Sequence, residues 1–211
     1  MNAQIEQLYG LVLAGGKSSR MGKDKSVIAY HGKPQVEVAF ELLSKFCAKV
    51  FLSNRRDQMN GDSYEKFLQL HDEIEYEGKG PLAGIVSAMN KYPQAAWVVL
   101  ACDLPFVDEP TIKCLLGSRD KTKIATAYKS NHDGLPEPLC AVWEAGYFDR
   151  VVGLMGQGIY CPRKVLIQSG VLLIDLKDPK ALDNVNNPDE FNEAMQRLSG
   201  GALIDEIQLI D

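Results

Sequence analysis

A chain of 211 residues, 45% hydrophobic and 24% charged, can bury its own core and sits near the globular average. Its formal net charge of −5 argues against a nucleic acid or a membrane surface as the main partner. The five cysteines (Cys47, Cys102, Cys114, Cys140 and Cys161) form no C-x-x-C pair, which speaks against a disulfide framework or a zinc site and for reduced, mostly buried thiols.

The opening "MNAQIEQLYG" has neither a basic start nor a long apolar run, so it does not read as a signal peptide, and a soluble cytoplasmic protein is expected. Leu8–Ala14 reads as a first strand. Gly32-Lys33-Pro34 is a turn, and Val36, Val38, Ala39, Leu42, Leu43 and Phe46 repeat as one face of a helix over Gln35–Phe46. Lys49–Ser53 is a second short strand. Pro81–Lys91 suits a helix, with Pro81 in the first turn and Leu82, Ile85, Val86 and Met89 on one side. Ala96–Ala101 is apolar at every position, the pattern of a central strand covered on both faces. A short helix follows at Thr111–Leu116, with Asp108 as a solvated cap. Further strands are expected at Lys123–Tyr128, Leu139–Trp143 and Val171–Leu176. Pro188–Leu198 closes the series as a helix, with Asn187 as its cap and Glu190 three residues on. Strands alternating with helices predict an α/β fold, a mainly parallel sheet with helices on both faces. Residues 1–198 read as a single domain. A Ser-Gly-Gly break sets off a tail, 199–211, to which no role is assigned.

Directly after the first strand stands "LAGGKSSRMGKDK", Leu13–Lys25. Gly15 and Gly16 carry no Cβ, so their backbone can approach an anion closely. A following helix would add the partial positive charge of its N-terminus. Arg20 can hold phosphate with a planar fork and Lys25 as a compact cation. Asp24 is placed to orient one of them, and Lys17 to face water. The string is neither a P-loop nor a dinucleotide fingerprint. Asp103, in "VVLACDLPF", falls just past the apolar strand, where ligands of open parallel sheets bind. A carboxylate there suits Mg²⁺, which takes one or two carboxylates and fills its shell with phosphate oxygens and water. His31, His71 and His132 share no metal-ligand spacing and read as loop histidines.

The order of these strings strongly resembles the nucleotidyltransferases that use a GT-A-like, three-layer Rossmann-like nucleotide-binding fold, and within them the molybdenum cofactor guanylyltransferase family. "LAGGKSSRMGKDK" is followed, in the family's order, by "GPLAGI" at Gly80–Ile85, "CDLPF" at Cys102–Phe106, "PEPLCAVW" at Pro136–Trp143 and "NVNNPDEF" at Asn184–Phe191. The match spans residues 8–198. Asn187 stands where the family more often has Thr.

The resemblance implies an enzyme that transfers GMP from GTP to the terminal phosphate of molybdopterin, with Mg²⁺ as cofactor and pyrophosphate released. It implies that Leu13, Ala14 and Gly15 meet the base or ribose through backbone groups, together with Asn54 and an acidic residue before "GPLAG". Asp72 is the nearest match among Asp72, Glu73, Glu75 and Glu77. Asp103 would hold the metal, and Arg20 and Lys25 the triphosphate. An anionic acceptor needs donors across the cleft, for which Arg163, Asn184 and Asn186 are candidates, with Glu137-Pro138 shaping a loop on that side. Asn184 and Asn186 would share a face if their segment is extended. Transient contacts with molybdoenzymes or their chaperones are implied by the same resemblance. Rival readings are a molybdopterin cytidylyltransferase, a sugar-1-phosphate nucleotidyltransferase and a nucleotide-binding regulator without turnover. The cytidylyl relatives tend toward "LAAG", and the second glycine here leaves more room for a purine, which favours guanine.

Overall fold

The computed structural model describes residues 7–14, 29–30, 32–54, 64–185 and 187–198. The expected sites at Gly15, Gly16, Arg20, Lys25 and Asn186 lie outside these residues, as do Lys17, Asp24, His31 and the tail 199–211. In chain order the strands are β1 (Gln7–Leu13), β2 (Lys49–Asn54), β3 (Gln69–His71), β4 (Ala95–Ala101), β5 (Ala125–Lys129), β6 (Pro136–Trp143) and β7 (Leu172–Ile174). The helices are α1 (Gln35–Ser44), α2 (Pro81–Lys91), α3 (Glu109–Gly117), α4 (Phe148–Gly156), α5 (Pro162–Ile167) and α6 (Pro188–Leu198). They build one seven-stranded sheet in the order β3-β2-β1-β4-β6-β5-β7. Only β6 runs against its neighbours, pairing antiparallel with β4 and β5, while every other pair is parallel.

The expected covered strand is β4, buried at all seven positions. Its side chains divide by the pleat. Trp97 and Val99 face a cluster with Leu82, Ile85, Val86 and Met89 of α2. Val98 and Leu100 face the other, with Val36, Ala39 and Leu43 of α1 and Ile112 and Leu115 of α3. Helices therefore lie on both faces, as the alternating pattern predicts.

The helix ends follow local chemistry. Pro81 opens α2 behind Gly80, whose φ of +68° is a conformation that side-chain-bearing residues rarely take. Asp108 caps α3 by accepting the Thr111 N–H at 2.9 Å. Asn187 and Glu190 form a reciprocal capping pair: Asn187 Oδ1 accepts the Glu190 N–H at 2.9 Å, and Asn187 Nδ2 donates to Glu190 Oε1 at 2.6 Å.

Several expectations need correction. His71 is not a loop residue but the last residue of β3, a three-residue strand too short to show a period. Glu137 and Pro138 belong to β6 rather than to a loop. Helices α4 and α5 have no counterpart in the sequence reading. Gly153 breaks the stripe of Val151, Leu154 and Met155 in α4, and α5 has only six residues. The cysteines are all free, but only Cys102 and Cys140 are buried, and Cys161 is exposed. Burial pushes the Cys47 and Cys140 thiols up to about 12, so neither supplies thiolate near neutral pH. Among the described residues, no helix is long and apolar enough to cross a membrane.

Gly84 sets the seat of α2 on the sheet. A Cβ there would meet Ser53 Oγ at 2.3 Å and Leu13 Cδ2 at 3.2 Å. Gly84→Ala is expected to lower the melting temperature by several degrees. Overpacking typically costs about 1–3 kcal/mol, and the better helix propensity of Ala returns only about 1 kcal/mol. Removing the hydroxyl with Ser53→Ala should recover part of the loss, which paired thermal melts of the single and double variants would check.

Candidate active site

The carboxyl ends of the parallel strands β1, β2 and β4 lie side by side. The backbone ties them beyond the last ladder pair: the Ala14 N–H donates to the Ser53 carbonyl at 2.9 Å, and the Cys102 N–H to the Leu13 carbonyl at 3.1 Å. Leu13 and Ala14 are buried at this junction.

Asp103 stands two residues past β4, half-buried, on the wall of a cavity of about 540 Å³. The cavity is also lined by Pro81 at the start of α2, by Glu137 and Cys140 of β6, by Arg163 of α5 and by Asn184. Asn184 reaches the site because the Val185 N–H donates to the Asp103 carbonyl at 3.1 Å, pinning the segment before α6 beside the end of β4. Asp103, Arg163 and Asn184, far apart in the chain, thus share one cleft.

One residue near Asp103, Tyr30, carried no sequence signal. Tyr30 is buried and packs against Phe191 of α6, with ring centroids 5.3 Å apart and the rings tilted at 51°. Burial first, then the nearby Asp103, Cys102 and Glu190, push its phenol up to about 12. Tyr30 therefore stays protonated near neutral pH, a neutral O–H close to two carboxylates. No local pattern marks an aromatic that a later helix will cover.

Arg163 is less open than expected of a phosphate binder. Its guanidinium donates to Asp133 Oδ2 and to Glu137 Oε2, each at 2.9 Å. These bonds use two of its five N–H donors and fix its plane between the loop before β6 and the strand itself. Neither partner was a candidate for this role, since both lie 26 or more residues away in sequence. His132, on the same wall, has Nε2 at 3.3 Å from Asp183 Oδ1.

The far end of the crevice is formed by β2 and β3. Asn54 closes β2 and is 2% exposed. Its Nδ2 donates to Gln69 Oε1 at 3.0 Å. Its Oδ1 is buried without a hydrogen-bond partner among the described residues, and so is Nδ1 of His71. Asn54 and His71 are register partners on adjacent strands, so their side chains leave the same face of the sheet. Asp72 follows directly, half-buried. The neighbouring Glu73 is engaged elsewhere: its N–H donates to Ser87 Oγ at 2.9 Å, and its carboxylate accepts from Asn90. Of the four acidic candidates, Asp72 is the one at a strand's carboxyl end.

Chemically, the described part of the site offers the Asp103 carboxylate at a strand end, a guanidinium positioned by Asp133 and Glu137, amide groups and strand-end backbone. Among the described residues, no group of three or more His, Cys, Asp or Glu side chains is arranged to hold a metal alone. The Asp103 carboxylate at the strand end fits a cation that takes most of its ligands from phosphate and water.

Comparison with known proteins agrees with this architecture. The family model described as the MobA-like NTP transferase domain matches residues 10–170. A molybdenum cofactor biosynthesis bifunctional protein of Synechocystis is 36% identical over 186 residues, covering 88% of this chain and 53% of that protein, so the chain spans about half of that relative's length. A probable molybdenum cofactor guanylyltransferase of Bacillus cereus is 30% identical over 203 residues, covering 92% of this chain and 99% of its own. The crystal structure of molybdopterin-guanine dinucleotide biosynthesis protein A from Archaeoglobus fulgidus superposes with a TM-score of 0.76 at 25% identity, covering 92% of this chain and all of that one.

Proposed function

The chain belongs to the MobA-like NTP transferase domain family, and on that premise we propose that it transfers GMP from GTP to the terminal phosphate of molybdopterin. A phosphate oxygen of the pterin attacks the α-phosphorus of GTP in line. The bond from the α-phosphorus to the bridging oxygen breaks, and pyrophosphate leaves with the electron pair. The product is the guanine dinucleotide form of the cofactor.

One observation carries the reading: Asp103, at the end of the buried central strand, lines a cleft of about 540 Å³ together with Arg163 and Asn184. Such a cleft can hold two anionic partners, one on each side of the reacting phosphorus. No strong general base is needed, because the attacking phosphate is already ionised near pH 7, and catalysis rests on positioning and charge neutralisation. In this reading Asp103 holds Mg²⁺, with Arg20 and Lys25 on the triphosphate beside Gly15 and Gly16. When bound, Mg²⁺ neutralises charge on the triphosphate and on the departing pyrophosphate. Leu13, Ala14, Asn54 and Asp72 border the nucleoside. Arg163, held by Asp133 and Glu137, binds the acceptor phosphate with its remaining donors, alongside Asn184 and Asn186. Delivery of the product would involve transient contacts with molybdoenzymes or their chaperones.

Pyrophosphate release measured with GTP, CTP and ATP, each with and without molybdopterin, tests this reading. Release is expected only with molybdopterin present and with GTP preferred at least tenfold in kcat/KM. Each buried polar group left unpaired by a wrong base costs about 1–3 kcal/mol. A preference for CTP would make the chain a cytidylyltransferase, and transfer to a sugar phosphate but not to molybdopterin would overturn the acceptor.

A further inference from the structure

An amide at the carboxyl end of β2 can read a base in two opposite ways. With Oδ1 presented, Asn54 accepts a hydrogen bond. With Nδ2 presented, it donates one. The two orientations have nearly the same shape, so something beyond packing must choose between them.

The choice is made two residues back on the neighbouring strand. Gln69 pairs in register with Leu52, and Asn54 with His71, so Gln69 and Asn54 project from the same face. Gln69 Nε2 donates to the backbone carbonyl of Tyr64 at 3.1 Å. A carbonyl can only accept, so this bond fixes which end of the Gln69 amide faces Tyr64. Its other end, Oε1, must then face Asn54, and it can only accept. Asn54 answers with Nδ2, at 3.0 Å. The amide of Asn54 is thereby fixed in turn, with Oδ1 on the branch away from Gln69. That oxygen is buried and has no partner among the described residues. A buried acceptor left unpaired is costly unless a ligand completes it.

We propose that Gln69 is a specificity-determining positioning residue: it orients the Asn54 amide so that a carbonyl oxygen, and not an NH₂ group, is presented to the nucleotide base. This rests on the GTP reading above. The Watson–Crick edge of guanine carries N–H donors at N1 and at the 2-amino group, which such an oxygen accepts. Adenine presents a bare ring nitrogen at N1, which the same oxygen repels. The relay thus tells two purines of equal size apart by hydrogen-bond polarity rather than by volume.

The test replaces Gln69 by side chains of opposite polarity and measures GTP and ATP dissociation constants by calorimetry, with Mg²⁺ present. Gln69→Glu still accepts from Asn54 Nδ2 and is expected to keep the preference for GTP within about threefold of the wild type. Gln69→Leu frees the amide to turn and should reduce the GTP-to-ATP preference at least tenfold. Gln69→Lys offers only donors, draws Oδ1 toward itself and should reduce the preference furthest. At saturating GTP, kcat should stay within threefold in all three, with the change falling in KM. A merely structural role would make Glu, Leu and Lys equally harmful, and that result would overturn the proposal. So would wild-type discrimination in the Leu and Lys variants. If the unmodified protein binds ATP as well as GTP, the guanine reading fails first and this inference with it. Because Gln69 is half-buried on an edge strand, all three variants should fold, and the Glu–Lys contrast alone still decides the matter if the Leu variant does not.

Discussion

Asp103→Asn is expected to reduce kcat for GMP transfer by about 10²- to 10³-fold, the scale seen when one preorganised electrostatic group is removed from a reacting centre. The substitution keeps the volume of the side chain and removes its charge. It leaves the backbone untouched, so the Asp103 carbonyl still accepts the Val185 N–H at 3.1 Å and still holds Asn184 at the cleft. Folding should therefore survive, with a melting temperature close to the parent's. GTP should still bind measurably, because the proposed arrangement assigns the contacts to base and triphosphate to other residues. The loss should fall mainly on kcat, since in the proposed role the carboxylate acts through a charge that matters most as pyrophosphate departs. The Tyr30 phenol should titrate lower than in the parent, because one of the carboxylates raising it is gone, while burial still holds it above its ordinary value. Steady-state kinetics across a Mg²⁺ titration would check this. An unchanged kcat at saturating Mg²⁺ would remove Asp103 from the metal site, and a matching fall in melting temperature would make its role structural.

What could be read from the sequence was local. Asp103 could be named as a candidate because a fully apolar strand ends just before it, and a strand's carboxyl end is where an α/β fold keeps its ligands. The bounds of α2 and α6 were legible because Pro81 and the Asn187–Glu190 pair write their own start signals. What escaped depends on which distant segments meet. Arg163 could be named as a cation, but not as one fixed by Asp133 and Glu137, since nothing in "CPRKVL" specifies those partners. Asn54 could be named, but its polarity could not, because the Gln69 that sets it lies 15 residues away on a three-residue strand. Tyr30 is near Asp103 only because α6, more than 150 residues later, folds back over it. Side chains identified by type in the sequence acquire their chemical orientation only from non-local pairing.

The same non-local logic gives the largest expected effect on stability, at the other end of the sheet. Glu144 follows β6 and is 2% exposed, and Arg119 follows α3. They meet in a fork: Arg119 Nε donates to Oε1 and Nη2 to Oε2, both at 2.6 Å. The Glu144 N–H also donates to the Ile124 carbonyl at 2.9 Å, so the carboxylate is held on a fixed backbone. Because β6 runs antiparallel, its carboxyl end lies at the amino ends of the parallel strands, on the edge away from Asp103. Removing Glu144 takes from the largely covered Arg119 guanidinium its bidentate carboxylate, and breaking a buried pair on one side typically costs about 3–5 kcal/mol. For a chain of this size that corresponds to a fall in melting temperature of roughly 6–20 °C. Glu144→Ala should show this loss while kcat/KM of the surviving folded enzyme stays within about threefold, because the pair lies at the edge of the sheet away from Asp103. Replacing both members together, as in Arg119→Met with Glu144→Leu, should cost far less than either single change, since no charge is then left stranded. Thermal melts of the two single variants and the double variant, read as a double-mutant cycle, would measure the coupling. A Glu144→Ala variant melting within about 2 °C of the parent would place this buried fork with ordinary surface ion pairs, worth about 0–1 kcal/mol.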